Sequence, residues 1–128
     1  MPSGSTTFHE AEEHLTPATR DMHRAIVSLM EELEAIDWYQ QRVDATGDPD
    51  LRAILGHNRD EEIEHAVMTL EWIRRHNPTF DANLREYLFT EGSITTREGA
   101  AVGGKPGNGA GAGASSRRAS VGSLRGGQ

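Results

Sequence analysis

The sequence predicts an all-α protein: a two-helix antiparallel hairpin followed by a short third helix. Apolar residues recur at steps of three, four and seven through the first long segment, which is the spacing of one helical face. This apolar stripe consists of Ile26, Leu29, Leu33, Ile36 and Val43. Turn-forming residues separate this segment from a second long one, and no segment shows the alternation typical of a strand. With 128 residues, the chain has room for one small domain.

Residues typical of helix termini indicate where each helix begins. Thr16, followed by proline, predicts the N-cap of a first helix over 17–44. Asp48, between a glycine and a proline, predicts the cap of a second helix over 49–77. A third, short helix is expected over 79–89. Its inward-facing side chains are expected to be Phe80, Leu84, Tyr87 and Leu88.

The composition divides the chain into four segments. Residues 1–16 are polar and are expected to be flexible, and 17–91 form the hairpin domain. Ten of the 14 glycines lie at or after Gly99, so we expect a disordered Gly/Ala-rich linker over 92–116. Residues 117–128 carry isolated hydrophobic residues among small ones. Composition alone leaves two interpretations of that end: a short docking peptide or plain disorder.

Charge and residue content exclude several functional classes. All 20 acidic residues lie at or before Glu98, where 9 basic residues leave a net charge of −11, whereas the tail carries +4. An acidic body suits cations and argues against nucleic acid as a partner. Without cysteine, disulfide and thiolate chemistry are excluded. No apolar run reaches the roughly 20 residues of a membrane helix, and no signal-peptide pattern is present, so we expect a cytoplasmic protein.

A single Glu-x-x-His step, formed by Glu62 and His65, is the most informative motif. This spacing puts a carboxylate and an imidazole on one helical face, and four-helix di-iron proteins use two such steps plus two further glutamates. Glu62 lies on the apolar side of its helix, where an unpaired carboxylate is costly. Glu32 lies 15 residues before Gly47 and Glu62 lies 15 after it, so the hairpin should bring both to one height. Two identical chains would then complete a di-metal site, for iron or manganese, with zinc as an alternative.

Other interpretations of these residues stay open at this point. Glu62 could instead form a structural ion pair with Arg59 or Arg24. Three residues share the opposite face of the first helix: Glu31, Glu34 and Trp38. Their spacing alone favours a solvated face with an aromatic oligomer contact over a site that guides cations. Tyr39 lies near the face of the first helix that carries Glu32. There it could form a hydrogen bond to a metal ligand or simply belong to the core.

Several stretches resemble the encapsulated ferritins, two-helix relatives of ferritins that are cargo of encapsulin nanocompartments. The stretches are His23–Ser28, Glu31–Tyr39, His57–His65, Thr69–Trp72 and Tyr87–Glu91. The resemblance implies that two chains dimerise into a ferritin-like four-helix bundle. It also implies a ferroxidase site, with a di-iron centre shared between chains, built from Glu32, Glu62 and His65 of both chains with Tyr39 close by.

The resemblance further implies an outer metal site formed by Glu31, Glu34 and Trp38, whereas their spacing alone favours a solvated face. The family forms rings of dimers that oxidise iron, while the encapsulin shell stores the mineral. The tail over 117–128 resembles the peptide that targets cargo to the shell protein. We therefore expect an oxidoreductase that acts on Fe(II) with dioxygen inside a cytoplasmic nanocompartment. The alternative is a non-catalytic metal-binding helical cargo protein; a hemerythrin-like bundle is disfavoured because only His65 is well placed.

Overall fold

The computed structural model describes residues 6–103, with side chains as far as Glu98. A 3-10 turn at Glu12–His14 precedes four helices: α1 (Pro17–Ala45), α2 (Pro49–His76), α3 (Pro78–Tyr87) and α4 (Ile94–Gly103). No strand occurs in the described range, so the predicted all-α fold is confirmed. None of the helices in this range is long and apolar enough to cross a membrane.

The chain divides after His76 into two compact units. The first contains the hairpin of α1 and α2, which are joined by residues 46–48. Two side-chain hydrogen bonds join α1 to α2 at different heights along the hairpin. Arg59 Nη1 donates to Gln40 Oε1 over 2.7 Å, and Thr69 Oγ1 donates to Glu32 Oε1 over 3.1 Å. The antiparallel pairing predicted from the sequence therefore extends along much of both helices.

The predicted N-caps of the hairpin are present. The backbone N–H of Thr19 donates to Thr16 Oγ1 over 3.0 Å, which starts α1. The N–H of Leu51 donates to Asp48 Oδ2 over 2.7 Å, which starts α2. Because a capping side chain satisfies an otherwise unpaired N–H, each cap stabilises its helix by about 1 kcal/mol.

The hairpin has a thin interior. Among the residues whose side chains are described, only Ala66 and Ile73 are buried. Leu33, which the sequence assigned to the packed stripe of α1, is 54% exposed, because one neighbouring helix covers only part of an apolar face. Other large apolar side chains of the hairpin are exposed as well: Ile26, Trp38, Leu51, Ile54, Ile63, Val67 and Met68.

The exposed apolar side chains lie on both sides of the α1–α2 contact. By helical spacing, Ile54 and Met68 lie on the side of α2 that carries His65. Ile63 and Val67 lie on the other side of the same helix. A single hairpin therefore presents two apolar faces to its surroundings.

The second unit contains α3 and α4. The Asn77 side chain caps α3, accepting from the N–H of Phe80 over 2.8 Å. The expectation that Phe80 and Leu88 face inward is wrong within the described chain, since they are 40% and 44% exposed. A ten-residue helix has no second long helix in its own unit against which to bury both. Phe89, which follows the C-cap residue Leu88, has a left-handed φ of 60°.

Helix α4 occupies the start of the stretch predicted as a linker over 92–116. The N–H of Thr96 donates to Ser93 Oγ over 3.2 Å, so a serine cap starts the helix. Arg97 Nη1 lies 3.3 Å from Glu86 Oε2, which ties α4 to α3. These local contacts offset the low apolar content that suggested disorder. The rest of the predicted linker and the tail over 117–128 lie outside the described residues.

The N-terminal segment predicted to be flexible over 1–16 contacts α1 through Phe8 and through the backbone of Glu12 and Leu15. The Phe8 and His23 rings lie 4.4 Å apart. Arg20 Nη1 donates to the carbonyls of Glu12 and Leu15 over 3.1 and 2.9 Å. The described part of this segment is therefore held at two places along the first turns of the helix.

Candidate metal centre

Helix α2 presents a carboxylate and an imidazole from adjacent turns. Glu62 and His65 lie three residues apart, which places their side chains on one face. His65 Nδ1 is 3.6 Å from Glu62 Oε1. The Glu62 side chain is 26% exposed and that of His65 is 44% exposed, so the pair lies at the edge of the helix contact and is reachable from outside.

Helix α1 adds the third donor, Glu32. One donor atom from each of Glu32, Glu62 and His65 lies within 4.8 Å of the other two, and all three residues are half-buried. Ligand bonds near 2.1 Å can join donors about 4 Å apart, so small side-chain rotations would close this group around one ion. Two carboxylates and an imidazole suit iron, manganese or zinc. Three protein ligands leave further coordination positions open.

The structural ion pairs considered for Glu62 are not formed. Arg59 donates instead to Gln40, and Arg24 Nη1 donates to Asp21 Oδ1 over 2.6 Å within its own helix. The side chain that the structure places beside Glu62 is instead the His65 imidazole one turn further along, with Nδ1 3.6 Å from Glu62 Oε1. This removes the main competing explanation for a carboxylate at this position.

Thr69 is a member of this cluster that the sequence did not indicate as functional. Its Oγ1 lies 3.1 Å from Glu32 Oε1 and 3.0 Å from the backbone carbonyl of His65. A single threonine belongs to no sequence pattern that is typical of metal sites. Its position four residues after the histidine, on the same helical face, is the signal that could have suggested it.

An open cleft of about 550 Å³ lies beside the donors. The residues that line it come from both helices of the hairpin: Asp21, Arg24, Ala25, Ser28, Met68, Thr69 and Trp72. Trp72 is stacked on His76, with ring centroids 3.8 Å apart, which holds the indole at the cleft wall. The side of the hairpin that carries the donors is therefore concave and partly apolar.

The remaining predicted site residues lie apart from this donor group. Glu31 and Trp38 are exposed and Glu34 is half-buried, all on the side of α1 that faces away from α2. No third histidine or carboxylate of the described chain joins those two glutamates in a candidate metal group. Tyr39 is half-buried about 10 Å further along α1 than Glu32, and the Arg42 guanidinium carbon lies 5.5 Å from its ring centre.

The strongest electrostatic perturbation lies outside the donor group, at Glu71. Hydrogen bonds from Arg74, over 2.8 and 2.7 Å, and from Arg75, over 2.6 Å, lower the pKa of Glu71 from 4.5 to about 2. Both arginines favour the charged carboxylate. This cluster therefore has a structural role at the end of α2 and its carboxylate is already paired.

The fold and the donors define a helical hairpin that carries, at an exposed edge, a carboxylate–histidine group that could hold a metal ion. A family model described as EncFtn-like matches residues 7–91. The chain belongs to the EncFtn-like family, which confirms the resemblance identified in the sequence.

Individual relatives agree with this assignment. The chain is 59% identical over 105 residues to the encapsulated ferritin-like protein of Rhodospirillum rubrum, covering 82% of this chain and 75% of that protein. It is 46% identical over 55 residues to the encapsulin nanocompartment cargo protein EncC of Myxococcus xanthus, covering 43% and 42% of the two chains. A crystal structure of protein ne0167 from Nitrosomonas europaea superposes with a TM-score of 0.66 at 61% identity, covering 68% of this chain and 96% of that one.

Proposed function

We propose that two chains pair across the side that carries Glu32, Glu62 and His65, and that the shared site oxidises Fe(II) with dioxygen. The observation that carries the proposal is that three donor atoms converge within 4.8 Å at the edge of a single hairpin. A two-fold axis beside them would double the donors to four carboxylates and two imidazoles. That is the ligand inventory of di-iron four-helix bundles.

The apolar surface around the donors supports pairing on this side. Ile54 is 57% exposed and Met68 is 59% exposed beside the donor-bearing face of α2. Large apolar side chains exposed at two places along one side of a helix are typical of a surface that a partner covers. A chain with so few buried residues gains a larger core when a second copy covers this face.

The opposite apolar face supports the ring of dimers that the family resemblance implies. Leu33, Ile63 and Val67 are 54%, 43% and 59% exposed on that side. A chain that pairs with one copy through each of two different faces connects dimers to further dimers. If the angles between successive pairs sum to a full turn, the assembly closes into a ring.

In the proposed reaction the substrate is Fe(II), and the protein supplies ligands. Carboxylate oxygens favour the harder ferric ion over the ferrous ion, which assists loss of one electron from each iron to dioxygen. His65 supplies the nitrogen donor of each half-site, and Tyr39 is proposed to lie near the completed centre. Glu31, Glu34 and Trp38 are proposed to form the outer site, where exposed carboxylates attract incoming cations.

The partner proposed for the assembled protein is an encapsulin shell in the cytoplasm. Support comes from the Myxococcus xanthus relative that is named as an encapsulin nanocompartment cargo protein. The tail over 117–128 is proposed to dock on the shell protein, so that ferric iron formed by this chain is stored within the shell.

The test of the reaction is anaerobic loading of the full-length, metal-free protein with Fe(II), followed by addition of dioxygen. Ferric absorbance should rise quickly in the wild type and at the buffer rate in Glu62→Ala. Glu64→Ala is the matched control, because this exposed glutamate points away from the donors on the same helix.

Two results would contradict the proposal in different ways. A wild-type rate no faster than that of buffer would remove the catalytic claim and leave a metal-binding cargo protein. Unchanged turnover in Glu62→Ala would show that oxidation occurs elsewhere on the chain.

A further inference from the structure

We infer that Thr69 is a positioning residue that holds the Glu32 carboxylate in place for metal and keeps its hydrogen bond when the metal binds; this rests on the proposed metal site. Glu32 comes from α1, whereas the other two donors share α2. The group is therefore assembled only when the α1 carboxylate is held against the second helix. The hydroxyl of Thr69 makes the hydrogen bond between those two elements at this level.

The bond to Glu32 restricts a long and flexible side chain. Thr69 Oγ1 lies 3.1 Å from Glu32 Oε1, in a part-buried position. Hydrogen bonds to a charged acceptor are stronger than neutral ones, and partial burial reduces competition from water. A carboxylate that is already restricted loses less conformational entropy when it binds a metal. Thr69 thus prepares the third ligand before the ion arrives.

The same hydroxyl also has an acceptor within α2, and its bond to Glu32 does not prevent that carboxylate from binding metal. The backbone carbonyl of His65 lies 3.0 Å from Thr69 Oγ1. A hydroxyl has a single proton, so it donates to one acceptor at a time. A carboxylate has two oxygens with about four lone-pair sites, so Glu32 can bind a metal ion and still accept from Thr69. The hydroxyl therefore restricts Glu32 in the free site and stabilises it in the occupied one.

The first test measures the bond without metal, by a double-mutant cycle on the full-length metal-free protein. Thr69→Val removes the hydroxyl at nearly constant shape. We expect it to lower the thermal midpoint in the wild-type background but to have little effect in Glu32→Ala, because the acceptor is already lost. An equal decrease in both backgrounds would mean that Thr69 acts only through packing and would overturn the inference.

The second test measures Mn(II) affinity by calorimetry, which does not depend on oxidation. We expect Thr69→Val to weaken binding about tenfold, because it loses a hydrogen bond to a charged group. Thr69→Ser should stay within about twofold of the wild type, since the hydroxyl is retained. Ser28→Ala is the matched control: this hydroxyl lines the same cleft but donates to the Arg24 carbonyl of its own helix.

The outcomes separate this inference from the proposed function. Wild-type affinity in Thr69→Val, or a loss in Thr69→Ser equal to that in Thr69→Val, would overturn the positioning role. A wild-type protein that binds Mn(II) with the expected variant pattern but oxidises no Fe(II) would overturn the ferroxidase alone. A wild type that binds no Mn(II) would overturn both.

Discussion

At the scale of single residues, the donor group depends on where Glu62 lies around α2. It is close in angle to the fully buried Ile73, yet its own side chain keeps 26% exposure. Deeper burial would penalise its charge, and full exposure would separate it from Glu32. The edge of the helix contact is therefore the place where a metal ion can reach carboxylates from both helices.

We expect His65→Ala to lower Mn(II) affinity by more than about 100-fold. Substituting a residue that only hydrogen-bonds to a metal ligand typically lowers metal affinity roughly 10- to 100-fold. His65 is expected to contribute the nitrogen donor itself, so its loss should have a larger effect. Calorimetric titration of the full-length protein measures the change. His14→Ala, which removes an exposed histidine from the N-terminal turn, should keep wild-type affinity. Equal affinities of His65→Ala and the wild type would exclude His65 as a ligand.

The sequence indicated which carboxylates would lie close together, but it did not indicate the residue that holds one of them in place. Glu32 and Glu62 are equally distant from the hairpin turn, so helix pairing alone implies that they meet. Thr69 was not predicted, because one hydroxyl has many possible acceptors and no characteristic spacing. The exposure of Leu33 was not predicted either. An apolar stripe indicates which residues avoid water without indicating whether this chain or another copy covers them.

At the scale of helices, the caps explain why α1 and α2 begin where they do. Thr16 and Asp48 each accept a backbone N–H in the first turn, and both could be assigned from residue type and position. Helix α4 could not be assigned in this way. Its glycine and alanine content suggested a linker, whereas the Ser93 cap and the Arg97–Glu86 ion pair support a helix.

We expect Thr16→Ala to destabilise the protein by about 1 kcal/mol, because the N–H of Thr19 loses its side-chain acceptor. Thr16→Ser keeps an acceptor and should retain most of the stability. Urea unfolding of the metal-free variants, at one fixed protein concentration, measures the free energy of unfolding of each. A Thr16→Ala variant as stable as Thr16→Ser would mean that the cap contributes nothing.

The charge cluster at the end of α2 predicts a pH dependence of stability. The pKa of Glu71 falls from 4.5 to about 2 on folding. Its stabilising effect is therefore complete above about pH 4.5 and is lost as the pH falls toward about 2. The effect should be small, since the side chain is 40% exposed and solvent screens the pairs.

We expect Glu71→Gln to lower the thermal midpoint at neutral pH, and the difference from wild type to shrink as the pH approaches 2. The thermal midpoints of the wild type and of Glu71→Gln, both metal-free, are measured at each pH from the loss of the helical circular dichroism signal. Glu13→Gln makes the same charge change at an exposed position in the N-terminal turn and serves as the control. A difference that stays constant down to pH 2 would contradict the assigned role of Arg74 and Arg75.

At the scale of the whole molecule, the two apolar faces of the hairpin are expected to have separate roles. We expect the face beside His65 to pair chains and complete the metal site, and the opposite face to join pairs into larger assemblies. Sequence periodicity predicted that the helices were amphipathic. It could not tell which of their apolar residues pack within the chain and which stay exposed, where a second copy would cover them.

We expect Val67→Glu and Met68→Glu to differ in their effects. Both side chains are 59% exposed and point about 100° apart around α2, Met68 toward the His65 side and Val67 away from it. Val67→Glu should reduce large assemblies to dimers that still oxidise iron. Met68→Glu should disrupt the metal-completing pair and abolish rapid oxidation. Native mass spectrometry and the oxidation assay measure both properties, and loss of oxidation in both variants with pairing intact would contradict this division.

The most direct test of the shared site is the dependence of dimerisation on metal. Native mass spectrometry would follow metal-free protein titrated with Mn(II), at a concentration where single chains are still present. If two chains complete one site, Mn(II) should convert single chains into dimers that carry two ions, and Glu62→Ala should fail to respond. Single chains that bind the ion without pairing, or dimerisation unaffected by Mn(II), would contradict a site shared between chains.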